Sequence, residues 1–214
     1  MKVLITTLLR RTDTTVFQYP RATESILNIR WQNGAQIDHF MPSGGDENCI
    51  NSITRKYEDA RRIALDRNYD ALLTVESDMV VPPDALERLA AVETDVAYGL
   101  YAMRTGAHHW NIATHVDRFE IVPMSANPLD AKERWGMIVE CDGVGLGCTL
   151  IRRHVLEKVA FRFYKGAHTD HLFAVDVKTA GFTQAADTSV TCGHIVGTQV
   201  VYPTNTGCLW RMQP

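Results

Sequence analysis

The sequence predicts an α/β protein, a Rossmann-like α/β/α sandwich around a mostly parallel central sheet. Three observations carry that expectation. Short apolar runs alternate with stretches of helical period through the first hundred residues, the order expected of a doubly wound sheet. One run, ALLTV at 71–75, is apolar on both faces, as a central parallel strand should be. The 214 residues include 45% hydrophobic and 22% charged side chains, enough to build one domain with a substantial core.

The elements follow in order. The opening MKVLITTLLR holds a short apolar run without a small-residue cleavage site, so residues 3–8 read as a buried strand rather than a signal peptide. A helix is predicted over 20–32, stopped by Asn33-Gly34, then a strand over 35–40 and a loop at 43–46. Ile50, Ile53, Tyr57, Ala60 and Ala64 are spaced three and four apart, which predicts an amphipathic helix over 50–67. After the 71–75 strand comes a helix over 83–92. Pro83 suits its first turn, Asp84 lies near its positive end, and Leu86, Leu89 and Ala90 share a face. A strand over 96–101 closes this half.

The second half has weaker periodicity. Residues 105–127 give no clear period and read as loop with short strands. Strands are expected at 137–140 and 146–151 around a turn at Cys141-Asp142-Gly143. A short helix over 152–160, a helix over 170–180 stopped by Gly181, and an extended run over 188–201 complete the chain.

Composition excludes several classes. The net charge of -3 offers no basic surplus for nucleic acid. Five cysteines, at 49, 141, 148, 192 and 208, form no CxxC pair and are odd in number, which fits reduced thiols and a cytoplasmic location. No apolar segment approaches the length of a membrane span.

The chemistry is concentrated where the 71–75 strand ends, in Glu76-Ser77-Asp78. In open α/β sheets ligands bind outside the carboxyl ends of strands. A one-residue spacer puts both carboxylates on the same side of extended backbone, where they repel unless a cation joins them. Oxygen ligands of this kind suit Mg2+ or Mn2+. A solvated turn with Asp78 as a local cap is the competing reading.

Further motifs follow in order: GVGLGCTLIRRHVLEKV from Gly143, TDHLFAVDVKTAGF from Thr169 and DTSVTCGHI from Asp187. Together with the acidic pair, this order resembles the GT-A-fold glycosyltransferases, in particular compact bacterial and phage members of glycosyltransferase family 2. The resemblance spans about residues 50–196. It implies a GT-A-like single domain over 1–214, with a nucleotide-binding half at 1–101 and an acceptor and catalytic half at 102–214. It implies a metal-dependent transferase that takes a nucleoside-diphosphate sugar as donor. Asp78 matches the metal-binding second Asp of the family's Asp-x-Asp motif, and Glu76 stands where the first Asp is usual. Ser77 sits between them against the nucleotide. His194 matches the histidine that completes the metal site in several members. Asp170 matches the catalytic base of inverting members, with Thr169 where a Glu is usual. Arg61 lies near the family's Arg-Asn pair, with Arg62 replacing the Asn.

Other readings stay open. Asp170 at a helix start is more often a cap. The alternating Gly143, Gly145 and Gly147 precede a strand, which fails the dinucleotide fingerprint and suggests backbone closely approached by sugar or acceptor. Arg152 or Arg153 could touch phosphate. Trp110, beside His108, His109 and His115, suits buried packing or stacking on a sugar. His168 and His171 flank Asp170, which favours a metal-dependent hydrolase as a rival. A nucleotidyltransferase is disfavoured, because Leu8-Leu9-Arg10-Arg11 lacks glycines. A non-catalytic nucleotide-sugar-binding module is the third alternative.

Overall fold

A computed structural model describes the chain except residues 12–15, 18, 32–33, 35, 43–49, 105–107, 144, 165–167, 206 and 213–214. The predicted loop at 43–46, the helix stop at Asn33, Cys49, and the side chains of Arg10, Arg11 and Cys208 lie outside the described residues.

Seven strands form the central sheet: β1 (Lys2–Thr6), β2 (Gln36–Phe40), β3 (Ala71–Val75), β4 (Val96–Leu100), β5 (Ile138–Glu140), β6 (Cys148–Arg152) and β7 (Gln184–Thr191). Their spatial order is β5-β7-β4-β6-β3-β1-β2. β1, β2, β3, β4 and β7 run one way, and β5 and β6 run against them. The mostly parallel sheet that the sequence predicts is therefore present. Every residue of β3 and β4 is buried, whereas the edge strand β2 is largely uncovered.

Among the described residues, six α-helices flank the sheet: α1 (Pro20–Leu27), α2 (Ile50–Asp66), α3 (Ala85–Ala91), α4 (Pro128–Arg134), α5 (Arg153–Lys158) and α6 (Thr169–Thr179). Side-chain alternation along the strands splits the core into two faces. Leu4, Leu72, Tyr98 and Ile151 pack with Tyr57, Ala60 and Ala64 of α2, Leu156 of α5 and Phe173 of α6. Val3, Leu73, Val75 and Leu150 pack with Ile26 of α1 and Leu86 and Leu89 of α3. Each fully buried Leu or Ile contributes about 1.5–3 kcal/mol to this layering. Of the face predicted for α2, Ile53, Tyr57, Ala60 and Ala64 pack inward, and the Ile50 side chain lies outside the described residues.

The structure corrects several boundaries. α1 ends at Leu27 rather than 32, because Arg30 N–H leaves the helix axis and donates to the Pro83 carbonyl at 2.8 Å. The predicted turn at 141–143 is instead a short strand, Asp142–Gly143, paired with Ile112 and Ala113. α4 was not expected from periodicity. It is set by its start: Asn127 Oδ1 accepts from Leu129 N–H at 3.1 Å, and Pro128 fills the first position.

A second, four-stranded sheet positions the site. Its order is Gly207–Met212, Gln199–Thr204, Gly193–Val196, Met79–Val80. The pairing of β7 with β4 shifts register between Asp187 and Thr191. Such an irregularity bends a strand, and beyond it the chain turns into Gly193–Val196 beside the acidic motif.

Candidate active site

β3 stops because Glu76-Ser77-Asp78 folds into a turn, in which Met79 N–H donates to the Glu76 carbonyl at 3.0 Å. The short Met79–Val80 strand pairs antiparallel with Gly193–His194, placing His194 opposite Met79. Ile195 N–H donates to the Asp78 carbonyl at 2.9 Å. The turn and the histidine strand are thus tied together by backbone, and the side chains converge. One ligand atom from each of Glu76, Asp78 and His194 lies within 4.8 Å of the others.

The electrostatics are those of an incomplete cluster. Asp78 is 7% exposed and His194 5%. His194 Nδ1 contacts the Ala102 carbonyl at 2.8 Å, and the Tyr101 ring stands edge-on to the imidazole at 5.7 Å. His194 Nε2 is buried with no hydrogen-bond partner and lies 3.6 Å from Asp78 Oδ2, too far for a hydrogen bond. Burial, reinforced by the Asp78 charge, pushes Glu76 up to about 7. Burial also works against the Asp78 anion, but His194 and the Arg104 guanidinium outweigh it and hold the carboxyl below its usual range. Burial lowers His194, and the neighbouring Asp78 more than compensates, so the imidazole titrates above its usual value.

An orphaned buried imidazole nitrogen facing two carboxylates is a donor set in want of a cation. Two hard oxygens and one nitrogen fit Mn2+ or Mg2+, with room for water and phosphate oxygens. Among the described residues, no other group of three side chains meets this condition.

Two connected hollows open on the motif. One is lined by Tyr57, Glu76, Leu146, His168, Thr169 and Asp170. The other is lined by Leu8, Leu9, Lys56, Tyr57, Glu76, Ser77, Asp78 and Arg104. Glu76 and Tyr57 belong to both, so one cleft runs from the end of β1 past the acidic pair to the start of α6. Beneath it Phe161 stacks between Tyr57 at 5.2 Å and Phe173 at 4.7 Å, bracing α2 against α6. Thr54 and Thr169 share a hydrogen bond of 2.6 Å across the same two helices.

Asp170 lies in the first turn of α6. Its Oδ1 accepts from His171 N–H at 2.8 Å, yet burial dominates and raises its pKa above the usual carboxylate value. The structure therefore brings Glu76, Ser77, Asp78 and Asp170 to one cleft, with the buried His194 beside Asp78.

It does not bring Arg61 there. Arg61 Nε donates to the Leu156 carbonyl at 2.6 Å and its Nη1 pairs with Glu58 at 2.8 Å, so the guanidinium ties α2 to α5. Arg152 and Arg153 lie at the far end of the sheet, where Arg152 pairs in register with Ala71. Arg152 caps the end of α3 through the Ala90 and Val92 carbonyls, and Arg153 the end of α2 through Leu65 and Tyr69. The glycines of the 143–147 run make room for tyrosines rather than a ligand. A Cβ on Gly143 would lie 1.9 Å from the Tyr98 ring, and one on Gly145 1.9 Å from the Tyr101 hydroxyl. Trp110 is buried against Trp135 at 5.9 Å. His171 Nε2 contacts the Asp117 carbonyl at 2.7 Å, and the histidines flanking Asp170 do not join the three-residue ligand group.

Two cations were not expected. Lys56, from α2, reaches the Leu9 carbonyl at 3.2 Å, and Arg104 rests on Asp78 Oδ2. Arg104 follows the carboxyl end of β4, so the rule that singled out Glu76 and Asp78 applies equally to it.

The fold and the placement of the acidic motif define a GT-A-like α/β architecture. In particular, the chain shares its fold with A197 from STIV, with a TM-score of 0.66 at 17% identity, covering 100% of this chain and 96% of that one. S. aureus TarS 1–349 matches with a TM-score of 0.49 at 12% identity, covering 87% of this chain and 58% of that one. The same protein in complex with UDP-GlcNAc gives 0.48 at 13% identity, covering 87% and 56%. No protein-family model and no curated protein matches the sequence.

Proposed function

We propose that the protein is a metal-dependent glycosyltransferase that moves a sugar from a nucleoside-diphosphate donor to an acceptor hydroxyl. The observation that carries this reading is the orphaned, buried His194 Nε2 against Asp78, which with Glu76 lines the cleft that also holds Asp170. Asp78, His194 and Glu76 would hold the cation. A bound divalent ion supplies Lewis acidity for the leaving diphosphate without proton transfer. The 1–101 half provides the carboxyl ends of β1 and β3 for the nucleotide, and the remainder provides α6 and His194.

Asp170 is the proposed base. As the acceptor oxygen bonds to the anomeric carbon and the bond to the diphosphate breaks, the acceptor proton passes to the Asp170 carboxylate. Burial raises the pKa of Asp170, which strengthens its carboxylate as a base. The N–H of His171 fixes one of its oxygens and leaves the other for the acceptor.

The test is a panel of UDP-, GDP- and other nucleotide sugars with Mn2+, read as nucleoside diphosphate release. Turnover abolished by chelator supports the reading. Hydrolysis of simple esters without response to any nucleotide sugar would favour the hydrolase. Tight donor binding with no turnover under any acceptor would indicate a binding module. For the base, the expected rate falls as pH falls through the raised pKa of Asp170. Asp170→Asn should lower transfer by roughly 10²–10⁴-fold with donor affinity intact, and full activity in that variant removes it from the mechanism.

A further inference from the structure

The cation that faces the acidic pair here belongs to the chain itself. Arg104 lies just beyond β4, next to a pinned backbone pair. Met103 N–H donates to the His109 carbonyl at 2.7 Å, and His108 Nδ1 contacts the Met103 carbonyl at 2.9 Å. His108 takes a left-handed φ of 52°, uncommon for a residue other than glycine. From this anchor the Arg104 guanidinium reaches Asp78 Oδ2, the oxygen that also faces the orphaned His194 Nε2. The two ends of this ion pair are unlike. The Asp78 side chain is 10% exposed and that of Arg104 is 46% exposed. The carboxylate is fixed and desolvated, while the arginine remains in contact with the solvent of the cleft and can withdraw into it.

A guanidinium and a divalent ion cannot both take the same carboxylate oxygen without strong repulsion. The cleft that Arg104 lines also holds Lys56 beside Leu8 and Leu9, so a displaced arginine faces residues of the 1–101 half proposed to receive the nucleotide. A planar fork of donors suits phosphate oxygens as well as it suits a carboxylate.

We propose that Arg104 is an internal stand-in for the metal, holding Asp78 until a divalent ion displaces it, and that the released guanidinium then clamps the donor diphosphate. This rests on the metal and donor reading given above. It makes metal and nucleotide binding mutually reinforcing: the metal frees the arginine, and the diphosphate gives it a new partner.

The experiment is calorimetric titration of Mn2+ into the wild-type protein and into Arg104→Gln, alone and with saturating UDP or GDP. The variant should bind Mn2+ alone about tenfold more tightly, because the competing cation is gone, and should bind the diphosphate at saturating Mn2+ about tenfold more weakly. Arg104→Lys provides a second measure that does not depend on the folding of the glutamine variant. It keeps the charge, so Mn2+ affinity should stay near wild type, while losing the fork should weaken diphosphate binding. Unchanged or weaker Mn2+ binding in Arg104→Gln overturns the stand-in role even if the wild type turns over donor. If the wild type and Asp78→Asn alike take up no Mn2+, the metal reading itself fails, and this inference fails with it.

Discussion

The two ends of the central sheet both carry charged side chains and treat them in opposite ways. At the end where β3 begins, Arg152 and Arg153 donate to the carbonyls of Ala90, Val92, Leu65 and Tyr69, closing two helices. Those guanidinium groups have found their partners. At the end where β3 stops, Glu76 and Asp78 line an open cleft in which Asp78 is paired with the solvent-exposed Arg104, and the buried His194 Nε2 has no hydrogen-bond partner. A charged cluster complete within the chain is scaffold, whereas one that needs something from outside is a site.

The sharpest way to break this contrast is Asp78→Asn. At the site end it should cut nucleoside diphosphate release by about 10²-fold or more, through loss of the cation's charge stabilisation. Melting temperature should fall, since the carboxylate that Arg104 and His194 hold below its usual pKa contributes stability near neutral pH that the amide loses. A variant that unfolds without losing specific activity would make Asp78 a structural residue and erase the contrast.

Next comes Gly145→Ala, which asks whether the glycines beside the site serve the fold or a ligand. A Cβ there lies 1.9 Å from the Tyr101 hydroxyl and 2.9 Å from its ring carbon. Overpacking of this kind costs about 1–3 kcal/mol, read in denaturant unfolding. Removing the hydroxyl with Tyr101→Phe should recover part of that loss, giving strongly non-additive single variants. Additive losses would put the ligand reading of the glycine run back in play.

At the opposite end, Arg153→Ala should cost about 1 kcal/mol of stability, as a partly buried guanidinium loses its carbonyl partners. Nucleotide-sugar turnover should not change. Loss of turnover in a folded Arg153→Ala protein would show that the far end is not mere scaffold.

How much of this the sequence showed follows from how local each feature is. The three-and-four spacing of Ile53, Tyr57, Ala60 and Ala64 is a property of one helix, and it placed α2 almost to the residue. Gly181 stops α6 with a φ of 81°, a conformation written into the residue type. Asp78 was visible because an apolar strand ended on it. The contact of Asp78 with His194 was not, since it depends on the register of Met79–Val80 against Gly193–His194, which no local pattern specifies. Arg61 shows the converse error. It has the right residue type in the right helix, but faces Glu58 and Leu156 because helical phase turns it away from the cleft. The run at 141–143 reads as a turn in isolation, yet Asp142–Gly143 pairs with a strand remote in sequence.

The smallest expected effect tests the closed end through pH. Asp95 accepts from Thr183 N–H at 2.7 Å and from the Thr183 hydroxyl at 2.8 Å, and its other oxygen contacts His154 Nε2 at 2.7 Å. Burial pushes its carboxyl upward, but the bonds from Thr183 and His154 outweigh that and hold it below the usual range. A folded-state value below the unfolded one means that the unfolded chain binds more protons in acid. The stabilisation is then complete above the unfolded carboxyl pKa of about 3.9, and is lost as pH falls through the folded value. Asp95→Asn should therefore lie below the wild type in unfolding midpoint near neutrality and converge with it in strong acid. The gap should be modest, because the group is only partly shielded from water. Two curves that keep a constant offset through the acid range would mean that Asp95 stabilises by packing rather than as an anion, and that the far end of the sheet is not held by paired charge at this position.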